Sequence, residues 1–238
     1  MTSSTTTQSV LEQLRAMIIE GELASGSRLQ ERHLAQRLAV SRTPIRDSLQ
    51  ILAGERLLNY SPHSGYVVRQ FELTDVLHSF DMRIALEGMA CRTLAAKTIP
   101  ERIVELLHAN LERATDIVER GRWSATRQGQ WLECNYEFHS TILAAAENPY
   151  LVHGVEQARR APQIYEATRR RQHAEIGRWF THDEVRQALA DHRRIARALE
   201  EGPPDRAEFL MREHIYTNRE QIRQHGAVAR SADVSVCD

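Results

Sequence analysis

Lysine is almost missing from this 238-residue chain: Lys97 is the single one, so nearly all positive charge is arginine. No apolar run approaches the roughly 18 residues that a membrane span needs, which argues against a membrane protein. The opening stretch, MTSSTTTQSV, is polar and lacks the apolar segment of a secretory signal peptide. The three cysteines, Cys91, Cys134 and Cys237, are odd in number and far apart, which excludes a disulfide framework. They read as reduced thiols in a cytoplasmic protein. A net charge of −1 argues against a protein that coats nucleic acid, and residues 1–70 hold only 8 Arg against 6 acidic residues. Charge alone settles nothing.

What is present points to helix. The hydrophobic share of 42% suffices for a packed core, and Ala, Leu, Glu and Arg are abundant. Val10, Leu11, Leu14, Met17 and Ile18 recur with helical spacing until Gly21. A second helix is expected at about 30–38 and a third at about 43–54, with Thr43 as N-cap and Pro44 at the first helical position. Ile45, Leu49 and Leu52 face inward on that third helix and leave Arg42, Arg46, Asp47 and Gln50 outside. The period then changes, and 57–60 and 66–69 read as two strands around a Pro- and Gly-containing turn.

Three helices and a β-hairpin form the winged helix-turn-helix plan. Beyond Thr74 the chain reads as six helices, 75–97, 101–120, 123–146, 149–173, 182–201 and 204–225, broken at Pro100, Gly121, Asn148-Pro149, the Gly177 region and Gly202-Pro203-Pro204. They pack most simply as an antiparallel all-α bundle. The expected organisation is a disordered tail at 1–9, a DNA-binding domain at 10–70, a linker at 71–74, a helical domain at 75–225 and a second disordered tail at 226–238. The fold class is mainly α.

A recognition helix needs N-terminal side chains that reach base edges while the preceding helix crosses the backbone. Arg42 and Arg46, four apart, project from one face and suit guanine O6 and N7 or phosphate. The Ser41 and Thr43 hydroxyls and the free N–H groups at the helix start suit phosphate oxygens. The hairpin turn, with His63, Ser64 and Gly65, is small enough for the minor groove. An ordinary helical hairpin with surface arginines is the plain alternative. Here the stretch GELASGSRLQERHLAQRLAVSRTPIRDSLQIL resembles the N-terminal domain of the GntR family of bacterial transcription regulators. The resemblance spans about 10–68 and implies DNA contacts at Arg32, Ser41, Arg42, Thr43, Arg46 and the wing glycine, Gly65. Three positions depart from it: Ser25 stands where Pro is usual, Arg56 where Gly is usual, and HSGY where the wing tip has Arg-Gly.

Three of the 11 histidines have apolar helical settings: His139 in CNYEFHSTIL, His192 in LADHRRIARALEEG and His214 in LMREHIYTNR. Asn135 lies four residues before His139, on the same helix face. Singly, each is readable as a hydrogen-bonded interior histidine; jointly they make a metal site only if the helices converge. The stretches MRIALEGMACRTLAA, NYEFHSTI, DHRRIARALEEG and AEFLMREHI resemble the FCD effector domain of the FadR-type subfamily of GntR regulators. That resemblance implies a divalent metal held by an Asp and three His, which match Asn135, His139, His192 and His214. Asn is neutral and ligates through its carbonyl oxygen, usually more weakly. Zinc suits the imidazoles, with nickel or manganese as alternatives. Cys134, about 100° away around the helix, is a poor substitute.

Arg83, in the inner stripe with Leu86, has two readings: an ion pair with Glu87 at i+4, or an anchor for an effector carboxylate. The resemblance favours the second and implies a small organic acid effector. The arginine-rich stretch at 159–172 reads as a solvated face or dimer contact. The expected function is a homodimeric repressor on palindromic operator DNA, responsive to a small carboxylate. The alternatives are a regulator for which the metal itself is the signal and, remotely, a metalloenzyme.

Overall fold

The structure is a computed structural model and describes residues 2–172 and 180–234. In chain order its elements are α1 (Thr2–Ile19), β1 (Arg28–Leu29), α2 (Glu31–Arg37), α3 (Arg42–Gly54), β2 (Leu58–Ser61), β3 (Gly65–Val68), α4 (Leu73–Ala95), α5 (Glu101–Glu119), α6 (Ala125–Ala145), α7 (Pro149–Gln172), α8 (His182–Glu201) and α9 (Pro204–Val234). They form two compact units. The first runs to Val76 and includes the second half of α7 from Arg159; the second holds the remaining helices. Among the described residues no helix is long and apolar enough to cross a membrane.

In the first unit, Val10, Leu11, Leu14, Met17 and Ile18 of α1 pack with Ile45, Leu49 and Leu52 of α3 and with Leu57, Leu58 and Val68 of the hairpin. Full burial of one such side chain contributes about 1.5–3 kcal/mol, so this packing holds α3 more firmly than helix propensity does. The hairpin is antiparallel, with Tyr60 opposite Tyr66 and Ser61 opposite Gly65. β1 pairs with β3 and completes a sheet of order β1-β3-β2. β1 is not legible in the sequence, because two residues carry no alternation to detect.

Several boundaries differ from expectation. The N-cap of α3 is Ser41, not Thr43, with φ −70° and ψ 167°. Pro44 is therefore the third helical residue, still inside the first turn, where its missing N–H has no intrahelical partner. Residues 2–9 are helical rather than a disordered tail. Once packing pins α1 from Val10 onward, each added residue meets only the small cost of propagation, and Ser48 Oγ donates to the Thr7 carbonyl at 3.3 Å. At the other end α9 continues through Gly226 to Val234, held by buried Ile222 and by the contact of His225 Nε2 with Glu184 Oε1 at 3.0 Å. Residues 235–238, Cys237 among them, and the break expected near Gly177 lie outside the described residues. The expected linker at 71–74 already enters α4 at Leu73.

The arginine-rich stretch of α7 is not wholly a solvated face. Glu55, the C-cap of α3, accepts from Arg15 of α1 and from Arg160 of α7, each at 2.7 Å. This ion pair is one reason why that half of α7 groups with the first unit. The side chains of Arg169, Arg170 and Arg171 lie outside the described residues.

The two departures in turn geometry are visible. Ser25 Oγ donates to the Arg69 carbonyl at 3.0 Å, just before Gly26 at φ +78°. Arg56 sits at φ +59°, and the Arg56 and Leu57 N–H groups close back on the Ala53 and Leu52 carbonyls, both at 3.0 Å. A left-handed residue after a helix is cheap for Gly and costly for a side chain. Arg56→Gly is therefore expected to raise unfolding free energy by about 0.5–1 kcal/mol, after the extra entropy of the unfolded chain is counted. Urea midpoints at unchanged slope measure this; a variant that unfolds earlier would show that Arg56 side-chain contacts outweigh the strain.

In the second unit, α8 opens on a capping box between Thr181 and Glu184. Its buried stripe runs Val185, Ala188, Leu189, His192, Ile195, Ala196 and Leu199, so His192 occupies a core position by helical phase alone. α6 is capped by Ser124, which accepts from the Arg127 N–H, and buries Trp131, Phe138, His139 and Ile142. Gly88 lets α4 approach α9: a Cβ there would lie 2.5 Å from Cγ of Arg212.

Candidate metal centre and nucleic-acid interface

His139 of α6, His192 of α8 and His214 of α9 are each 1% exposed. Each offers a ring nitrogen, and the three lie within 4.8 Å of one another. The Nε2 atoms of His192 and His214 are 3.2 Å apart. Two imidazoles on one tetrahedral zinc, at about 2.05 Å each, would have nitrogens about 3.3 Å apart. Phe138 stacks on the His192 ring at 4.1 Å between centroids, and Trp131 stacks on it at 5.5 Å. These aromatic rings fix the plane of His192 and exclude water from that side.

The supporting carboxylates come from elsewhere in the unit. His139 Nδ1 is 2.6 Å from Oε2 of Glu87, itself 1% exposed on α4. With Nδ1 donating to Glu87, Nε2 keeps its lone pair and is the nitrogen left to ligate. His214 Nδ1 faces Oδ2 of Asp191 at 3.7 Å, and Asn218 Nδ2 lies 3.3 Å from His214 Nε2. Burial pushes the His139 imidazole down to about 4, against the opposing pull of Glu87. Burial, with His214 and His139 beside it, holds His192 well below the usual imidazole range. At pH 7 both rings are neutral, which is the protonation state a metal requires. The Nδ1 atoms of His192 and His214 are buried without a hydrogen-bond partner. Three imidazoles with converging nitrogens and a carboxylate behind one of them fit a divalent cation of the zinc type.

Asn135 is half-buried one turn before His139, and its amide has no hydrogen-bond partner among the described residues. Cys134 is turned to other work: its Sγ accepts from Arg113 Nε at 3.2 Å, and its carbonyl from Asn110 at 3.0 Å. Cys91 and Cys134 are both free thiols, and burial pushes Cys91 well up. Glu133 and Glu137 are exposed, with Glu137 paired to Arg113. For Arg83 the ion pair is present, Nε to Glu87 Oε1 at 2.7 Å. Its terminal nitrogens have no hydrogen-bond partner among the described residues, so the pair and a carboxylate anchor are compatible. Glu87 thus links Arg83 to His139. In the sequence Glu87 is legible only as the partner of Arg83, and Asp191 and Asn218 are not legible as neighbours of His214. Their only signal was a polar residue on or beside an otherwise apolar stripe.

In the first unit, Arg32, Ser41, Arg42, Thr43 and Arg46 are all exposed on α2, α3 and the turn between them. Ser41 makes no side-chain cap bond, which leaves its hydroxyl and the first N–H groups of α3 open to an anion. Arg42 and Arg46 both reach Glu31 at the start of α2. Arg42 Nη2 is 2.9 Å from its carboxylate; Arg46 binds it twice, through Nε at 3.1 Å and Nη2 at 3.0 Å. At the wing, Ser64 N–H donates to the Ser61 carbonyl at 3.2 Å, and Gly65 follows at φ +68° with open space where a Cβ would be. Arg28 of β1 reaches the His63 carbonyl at 3.4 Å.

Residues 6–68 match the family described as bacterial regulatory proteins, gntR family, and residues 78–217 match the FCD domain. A protein of Paenarthrobacter nicotinovorans described as "Probable D-xylose utilization operon transcriptional repressor" is 29% identical over 216 residues, 90% of this chain and 88% of that one. The Nta operon transcriptional regulator of Aminobacter aminovorans is 27% identical over 214 residues, 89% of this chain and 93% of its own. Among solved structures, E. coli McbR/YncC shares the fold with a TM-score of 0.67 at 22% identity, over 94% of this chain and 99% of that chain. These families and relatives are transcription regulators, not enzymes. With a gntR-type helix-turn-helix followed by an FCD domain, the chain belongs to the GntR family of bacterial transcription regulators.

Proposed function

We propose that this regulator is a cytoplasmic homodimeric repressor that reads a palindromic operator and answers to a small organic carboxylate bound beside a divalent metal, zinc first. The observation that carries the reading is the buried set of three histidine nitrogens within 4.8 Å, tied through Glu87 to Arg83. His139, His192 and His214 would hold the metal, with the Asn135 carbonyl as a fourth ligand. Arg83 would pair with the effector carboxylate, since guanidinium matches it in a bidentate way. When bound, the cation supplies a second positive centre for the same acid. Arg32, Ser41, Arg42, Thr43, Arg46, Ser64 and Gly65 would contact DNA. Two-fold symmetry of the dimer would match two half-sites. The acid acts only through its difference in affinity for the DNA-bound and free arrangements.

A selection of duplexes from a random library tests the reading, followed by operator titrations with a panel of mono- and dicarboxylates. A palindrome should emerge, and at least one acid should change operator affinity by about 5–150-fold in zinc-loaded protein but not after chelation. If zinc alone produces the change, the weak neutral ligand Asn135 supports the metal as the signal. A library that yields no sequence preference would overturn the DNA-reading role proposed for these residues.

A further inference from the structure

Glu31 is an odd group to find on a surface that meets phosphates. Its carboxylate engages three nitrogens of the two arginines on the outer face of α3, while those arginines stay 63% and 61% exposed. Exposed ion pairs contribute little to stability, because solvent screens them and ordering the side chains costs entropy. A negative charge here also weakens attraction to the DNA backbone. Neither stability nor general affinity therefore explains the contact. Orientation does: Nε and Nη2 of Arg46 are both taken by Glu31, which fixes the guanidinium plane and leaves Nη1 to point away. Arg42, one turn earlier, is drawn to the same carboxylate through Nη2. The two arginines pull the Glu31 carboxyl below the usual carboxylate range, which favours the anion beside them.

We infer that Glu31 is a specificity-determining positioning residue, which holds Arg42 and Arg46 in register for base edges and suppresses their sequence-independent attraction to phosphate. The inference rests on the proposed DNA-reading role of α3. Two guanidiniums and one carboxylate carry a net charge of +1, against +2 without Glu31. A free arginine pair spends its charge on any phosphate within reach, whereas a pinned pair meets the duplex in one geometry. That geometry favours the bidentate contact a guanine offers.

The test uses the full-length protein, wild type beside Glu31→Gln, on a duplex chosen by the wild type from a random library and on a scrambled version of it. Glu31→Gln should melt with wild type. It should bind the scrambled duplex about threefold tighter, with a salt dependence of log K steeper by about one. Its preference for the selected duplex should fall about tenfold. An unchanged preference, with both duplexes bound more tightly, would reduce Glu31 to a general electrostatic brake and overturn the inference. Loss of binding to both duplexes, or a collapse in melting temperature, would overturn it too, as marking a direct contact or a structural role. A wild type that selects no sequence would instead refute the DNA-reading role of α3, and the inference would fall with it.

Discussion

His192→Ala is expected to abolish metal binding. Wild-type protein incubated with zinc and desalted should hold about one equivalent per chain, and the variant essentially none by elemental analysis. The size of the effect follows from geometry. His192 Nε2 lies 3.2 Å from His214 Nε2, and its ring is held between the elements of a dry core by Phe138 and Trp131. Its removal leaves two imidazoles and a neutral amide, too few donors for a tight zinc site. The same truncation opens a cavity beside Phe138, so folding of the variant must be checked by melting. Glu87→Gln opens no cavity, although it removes the charge paired with Arg83, so its melting is checked as well. It keeps the size of the side chain but weakens the acceptor behind His139, and zinc affinity should drop about 10–100-fold. Wild-type protein that takes up no zinc would sink both the metal-assisted effector reading and the metal-signal reading. What would then remain is a pocket in which Arg83 and histidine hydrogen bonds hold the ligand.

The second large effect is expected at Arg46. Its guanidinium is exposed and, among the described residues, bonded only to Glu31, so Arg46→Ala should fold and melt like wild type. Loss of one bidentate base contact is worth about 1–3 kcal/mol, which corresponds to a drop of about 5–150-fold in affinity for the selected operator. Affinity for a scrambled duplex should fall far less, because one charge among several phosphate contacts is lost. Gel shifts on both duplexes measure the split. Equal loss on both would make Arg46 a phosphate clamp and move base readout elsewhere on α3.

Much of this molecule is written locally. The stripe Val10, Leu11, Leu14, Met17 and Ile18 announces α1, and Ile45, Leu49 and Leu52 announce the buried face of α3; all eight are buried in one core. Helical period is a property of neighbours in sequence, so amphipathic segments declare their type and their inner face without any knowledge of their partners. The spacing of Arg42 and Arg46 likewise places both on one face, and the composition of 57–69 marks the hairpin. Even the strain at Arg56 was foreshadowed by a side chain standing where glycine is usual, and the structure shows φ +59° there.

Tertiary structure decided whatever required separate elements to meet. His139, His192 and His214 each sit in a stripe that equally suits a plain core histidine; only the packing of α6, α8 and α9 brings their nitrogens within 4.8 Å. Glu87 arrives from a fourth helix, and nothing in its own neighbourhood says that it stands behind His139 rather than serving Arg83 alone. The two-residue strand β1 exists only because β3 offers it an edge. Arg160 meets Glu55 from 105 residues away in the sequence, and Glu31 meets two arginines of the following helix. The reason is the same in each case. Period and propensity are encoded within a few residues, whereas convergence depends on which faces bury together, and a single helix does not contain that information.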